Sequence, residues 1–132
     1  MVLSSPLIQK VGVSTKQDII LIQQQFDVNC DNVVDLSVLA PNLGFAKNAG
    51  TRRLCSGLLK VNIEKDKSVT VSDWSKYPLT TEQINYAAAD AAIARKMALV
   101  MLPEIPQPIL STYYSEIISN KNKNKNGKNV FQ

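Results

Sequence analysis

The stretch Thr80-Thr81-Glu82-Gln83-Ile84-Asn85-Tyr86-Ala87-Ala88-Ala89-Asp90-Ala91-Ala92 decides how this chain of 132 residues is read. Thr80 followed by Gln83 is a capping box, in which each side chain accepts a hydrogen bond from the backbone N–H of the other residue. A helix is predicted from there to Leu102, where Pro103 stops it. It is apolar on nearly every side and is expected to be buried, or close to it. Between Glu82 and Glu104 its one acidic residue is Asp90, set among alanines. A carboxylate in such surroundings is costly unless it is paired or binds a metal ion. Tyr86 lies four residues earlier, one turn away on the same face. A phenol beside a carboxylate could hold a cation and position a nucleophilic water. Equally, Asp90 could be a paired acid of a core helix, bonded to Tyr86 or to an arginine. The spacing leaves both readings open.

Upstream, residues 7–13 read as a strand, and residues 18–26 as a helix with Ser14 or Thr15 as its N-cap. Asp18 falls in the first helical turn. There it either complements the helix dipole or lines the cleft that α/β proteins form beyond a strand end. Residues 33–40 read as a second strand closed by Pro41, and residues 52–61 as a helix with Leu54, Leu58 and Leu59 inward. Residues 64–78 read as an irregular connection carrying Trp74, a structural anchor or a platform for a base. The order is α/β. Two strands are few for a stable sheet, so further strands are expected before residue 7.

Composition removes several chemistries. The chain has no histidine, so Ser-His and Cys-His nucleophile pairs are excluded and a zinc site is disfavoured. Cys30 and Cys55 form no CxxC pattern and are expected to be reduced thiols. The net charge of +4 resides in Lys121, Lys123, Lys125 and Lys128, so the body before them is neutral. No apolar run approaches the ~20 residues that span a bilayer, and the start lacks the pattern of an export signal. A nuclear or cytoplasmic protein, not secreted and not in a membrane, is expected. Residues 106–132 are expected to be a proline-containing linker and a disordered Lys/Asn-rich tail following a domain of residues 1–105.

Taken together, the motifs resemble a family. Lys10-Val11-Gly12-Val13, Asp18 and Val34-Asp35-Leu36 look like the middle of the DEDDy-type 3′-5′ exonucleases. Asp66-Lys67-Ser68, Ser72-Asp73-Trp74-Ser75, Pro78-Leu79-Thr80, Glu82-Gln83 and Tyr86-Ala87-Ala88-Ala89-Asp90-Ala91 look like their end. The Werner syndrome exonuclease domain and ribonuclease D are members of that family. The resemblance spans about residues 3–102 and is most specific in its last stretch. It implies a ribonuclease H-like exonuclease fold, present here as the carboxyl-terminal half.

The resemblance also implies chemistry. Family members use four carboxylates and a tyrosine to hold two divalent ions, Mg²⁺ or Mn²⁺, that hydrolyse phosphodiester bonds at a nucleic-acid 3′ end. On this chain Asp90 resembles the last metal ligand, Tyr86 the residue that orients the attacking water, and Asp18 the second-motif acid. Arg52 and Arg53, before a helix, could contact phosphates of DNA or RNA, or be a solvated helix start. The family's first motif, Asp-x-Glu, is absent from the sequence. Three explanations stand: a reading frame that begins too late, completion by another chain carrying the missing strands, or a non-catalytic relative that binds nucleic acid or acts as a scaffold.

Overall fold

Two short strands organise the molecule. Lys10–Gly12 (β1) pairs in parallel with Val33–Asp35 (β2), with Lys10 opposite Val33, Val11 opposite Val34 and Gly12 opposite Asp35. The structure is a computed structural model, and it describes residues 1–127, with side-chain surroundings as far as residue 120. Between the strands runs Lys16–Phe26 (α1), the crossover connection that parallel pairing requires. After β2 come Leu36–Leu39 (α2), a 3-10 turn at Ala40–Leu43, Thr51–Leu59 (α3), Lys67–Thr70 (α4), Thr81–Met101 (α5) and Gln107–Gly127 (α6).

Both strands are shorter than the sequence suggests, and one residue explains the second. Residues 36–40 had the composition of a strand, yet they turn helical because Asp35 caps them. Its Oδ1 accepts from the Ser37 backbone N–H at 3.0 Å and the Ser37 hydroxyl at 2.6 Å. The same carboxylate accepts from the backbone N–H groups of Ser14 and Thr15, both at 2.9 Å. Ser14 has φ 56°, a left-handed conformation that costs a non-glycine residue energy and is held here by that bond. The capping of α1 therefore differs from expectation. Thr15 occupies the N-cap position without a side-chain cap bond, because its hydroxyl faces Asp35 instead. A Cβ at Gly12, the last residue of β1, would meet the Thr15 methyl group, so a larger residue there requires Thr15 to shift.

The core lies between the sheet, α3 and α5. Val34, Leu36, Leu39, Leu54, Cys55, Met97 and Met101 are fully buried. Burial of each large aliphatic side chain contributes roughly 1.5–3 kcal/mol. Only the second half of α5 joins this core, through Ala94, Met97, Ala98 and Met101. The expectation of a wholly buried helix is thus corrected: Ala87, Ala88, Ala89, Leu99 and Val100 are exposed, lying outside the faces that α3, β1 and α4 cover.

The expected linker after Pro103 is also corrected. Pro106 precedes α6, whose Leu110 is buried in the core and whose Tyr113 hydroxyl accepts the Asp35 backbone N–H at 2.9 Å. A proline just outside the first turn starts a helix as readily as it ends one. Side chains of the Lys/Asn-rich tail from residue 121, and all of residues 128–132, lie outside the described residues. Cys30 and Cys55 are free thiols. Among the described residues no helix is long and apolar enough to cross a membrane.

Asp35 supports a test. Asp35→Ala leaves the Ser14, Thr15 and Ser37 N–H groups without their acceptor, and a loss of about 2–4 kcal/mol is expected. Urea unfolding reads this as a lower midpoint at unchanged slope. The exposed Asp66, which caps α4 through Ser68 in the same local geometry, is expected to lose less on the same substitution. Equal losses would refute the tying role of Asp35.

Candidate functional site

The capping box forms as read from the sequence. Thr80 Oγ1 accepts from the Gln83 N–H at 3.2 Å, and Gln83 Oε1 accepts from the Thr80 N–H at 2.9 Å. Gln83 is buried, and its amide does more than cap. Its Nε2 donates to Ser72 Oγ at 3.0 Å and to the Asp73 carbonyl at 3.1 Å. This pins the segment before Trp74 onto the first turn of α5.

Trp74 then meets Tyr86, with ring centroids 5.9 Å apart and planes tilted by 58°. The indole N–H donates to the Thr70 carbonyl at 3.3 Å, and the Thr70 hydroxyl donates to the Tyr86 oxygen at 3.2 Å. Tyr86 is held from two sides. Trp74 is packed on a neighbour, in keeping with an anchoring role.

Asp90 is paired, though with neither partner that the sequence suggested. Lys65 Nζ lies 3.0 Å from its Oδ1 and 3.2 Å from its Oδ2, and 5.4 Å from the centre of the Tyr86 ring. Tyr86, Asp90 and Lys65 are therefore one cluster. Partial burial is the strongest influence on the lysine and opposes its charge. The hydrogen bond and charge of Asp90, joined by Tyr86, outweigh it and hold Lys65 above the ordinary lysine value.

Asp18 stands in the first turn of α1, exposed, with no hydrogen bond or ion pair to the cluster among the described residues. Its helix begins just after β1, the strand against which α5 packs. Arg52 and Arg53 open α3 as expected and line a cleft of ≈ 570 Å³ that Lys65 also lines. Among the described residues no three Asp, Glu, His or Cys side chains converge as a metal site would require. The residues present thus do not by themselves fit a site for two divalent ions, which needs more oxygen ligands than Asp90 supplies.

Sequence reasoning missed Lys65, Thr70 and the tether from Gln83 to residues 72 and 73. Lys65 sits in Glu64-Lys65-Asp66, where nothing local marks it as the partner of a residue 25 positions away. Thr70 gives no signal either, because its one-turn helix is too short for a periodic pattern.

The sequence model described as 3′-5′ exonuclease matches residues 1–106. A ribonuclease D of Haemophilus influenzae is 34% identical over 88 residues, which are 67% of this chain and 22% of that protein. The mouse bifunctional 3′-5′ exonuclease/ATP-dependent helicase WRN is 36% identical over 92 residues, 69% of this chain and 7% of that protein. The chain therefore spans less than a quarter of the length of these relatives. Among solved structures, ribonuclease D of Trypanosoma brucei superposes with a TM-score of 0.68 at 19% identity, covering 79% of this chain and 41% of that one. That likeness concerns the fold.

The Lys65–Asp90 pair carries a signed pH dependence. Because the folded lysine value is raised, the pair's contribution is full below the ordinary value of 10.5 and is lost as pH rises through the raised value. Both side chains are more than a third exposed, so screening limits it to under about 1 kcal/mol. Lys65→Met is expected to unfold at slightly lower urea near pH 8, with the gap to the parent closing above pH ~10.5. A gap that widens with pH would contradict the pairing.

Proposed function

The chain belongs to the 3′-5′ exonuclease family, with its ribonuclease H-like α/β fold, and from that premise we propose that it is the tyrosine-bearing part of a metal-dependent 3′-5′ exonuclease. The observation that carries this reading is Tyr86 one turn from Asp90, with the phenol fixed by Thr70 and Trp74. In the proposal Asp90 and Asp18 contribute oxygen ligands, and Tyr86 orients water toward a phosphodiester at the 3′ end of DNA or RNA. Mg²⁺ or Mn²⁺ would activate that water and neutralise charge on the phosphate.

The proposal concerns a completed domain. The Asp-x-Glu pair is absent from this sequence, and Asp90 here faces an ammonium group. Among the described residues β1 is paired on one side only. A further strand on its free edge would lie beside α5, which packs on β1, and could bring acidic residues toward Asp90. In the proposal such a strand comes either from sequence ahead of residue 1 or from a complementing polypeptide. The Lys65–Asp90 pair favours a second reading for the chain standing alone: a non-catalytic nucleic-acid-binding or scaffold protein.

The two readings separate in one assay. A 3′-end-shortening experiment uses a labelled single strand, Mn²⁺, and the chain alone or co-expressed with a polypeptide carrying a family Asp-x-Glu strand. Stepwise shortening is expected in the co-expressed sample, with a loss of at least about 100-fold in Asp90→Ala. A stable complex that binds the strand and never shortens it would eliminate the exonuclease reading and leave the second.

A further inference from the structure

The cleft at the start of α3 is lined by Thr51, Arg52, Arg53, Ser56, Asn62 and Lys65. It contains three cationic side chains and no carboxylate. Arg52 and Arg53 have no hydrogen bond or ion pair among the described residues, and they sit where a helix favours the opposite charge. The positive end of the dipole disfavours a cation in the first turn. That turn holds no acidic residue, and the N-cap, Gly50, has no side chain to satisfy the free N–H groups. An anion resting there would reverse each of these costs at once. The hydroxyls of Thr51 and Ser56 and the amide of Asn62 add neutral donors, the mixture that contacts phosphate oxygens. Guanidinium forks suit those oxygens better than a single ammonium does.

Lys65 gives the cleft a second property. Lys65 lines it, and the same side chain carries the Nζ bound to Asp90. We propose that the cleft seats backbone phosphates of a single nucleic-acid strand, and that Lys65 links its occupancy to Asp90. A phosphate in the cleft competes with the Asp90 carboxylate for one ammonium group. Occupancy therefore uncovers the carboxylate beside Tyr86, and a bare cleft keeps it covered. The choice of nucleic acid over an acidic peptide rests on the exonuclease reading; the coupling through Lys65 rests on geometry alone.

The test is fluorescence anisotropy with labelled oligothymidylate and oligouridylate in the presence of a chelator, so that hydrolysis plays no part. Arg52→Ala/Arg53→Ala is expected to weaken binding about tenfold at low salt, and to flatten the plot of log affinity against log salt by about 0.7 for each lost contact. Both arginines are exposed, so the core is undisturbed, which circular dichroism checks. For the coupling, Asp90→Ala is expected to tighten binding about threefold in the parent and not at all in Lys65→Met. A gain that persists in Lys65→Met would be plain removal of a repelling charge and would overturn the coupling. Unchanged affinity and slope in the arginine variant, or equal displacement by polyglutamate, would overturn the nucleic-acid cleft. Binding through the cleft together with no shortening in the assay above would sink the exonuclease reading and leave this one standing.

Discussion

One buried aspartate, through its carboxylate and its backbone N–H, holds the sheet, two helix starts and a distant tyrosine in a single arrangement. Asp35 accepts from the Ser14 and Thr15 backbone, from both groups of Ser37, and its own N–H reaches Tyr113. An unpaired buried carboxylate would be destabilising; one with this many donors becomes a fixed point. The start of α1, and with it Asp18, is positioned by bonds to a residue on the neighbouring strand. Asp35 thus sets the first turn of α1 while standing apart from the cluster of Tyr86, Asp90 and Lys65.

The same tripeptide pattern occurs three times with different consequences. Asp35-Leu36-Ser37, Asp66-Lys67-Ser68 and Asp73-Trp74-Ser75 each fold so that the aspartate accepts from the serine N–H and hydroxyl. For the exposed pair these bonds hold each carboxyl below its usual range. They shape local turns and leave α4 and the Trp74 segment to be fastened by other contacts, chiefly Gln83. Only the first copy is buried, and only it reaches residues far away in sequence.

What could be read from the sequence follows from this contrast between local and distant bonds. The capping box at Thr80 and Gln83, the limits of α5, and the placement of Tyr86 and Asp90 one turn apart all follow from local sequence, and each is present as read. The strand at residues 33–40 was misread because apolar, β-branched composition cannot reveal that Asp35 would cap a helix. The linker was misread because prolines punctuate a chain without saying whether a helix follows. Lys65 escaped notice because its partner is an entire helix away. The cluster's neutral balance is a tertiary property, and no window along the chain contains it.

The helix after Pro106 changes where this protein begins to behave as one body. The 3′-5′ exonuclease model matches as far as residue 106, yet Leu110 fills part of the interior and Tyr113 is bonded to the strand. The matched segment and the mechanical unit therefore have different borders. A piece trimmed at residue 106 would keep Asp18, Tyr86 and Asp90 while losing Leu110 from the interior and the Tyr113 bond to the strand.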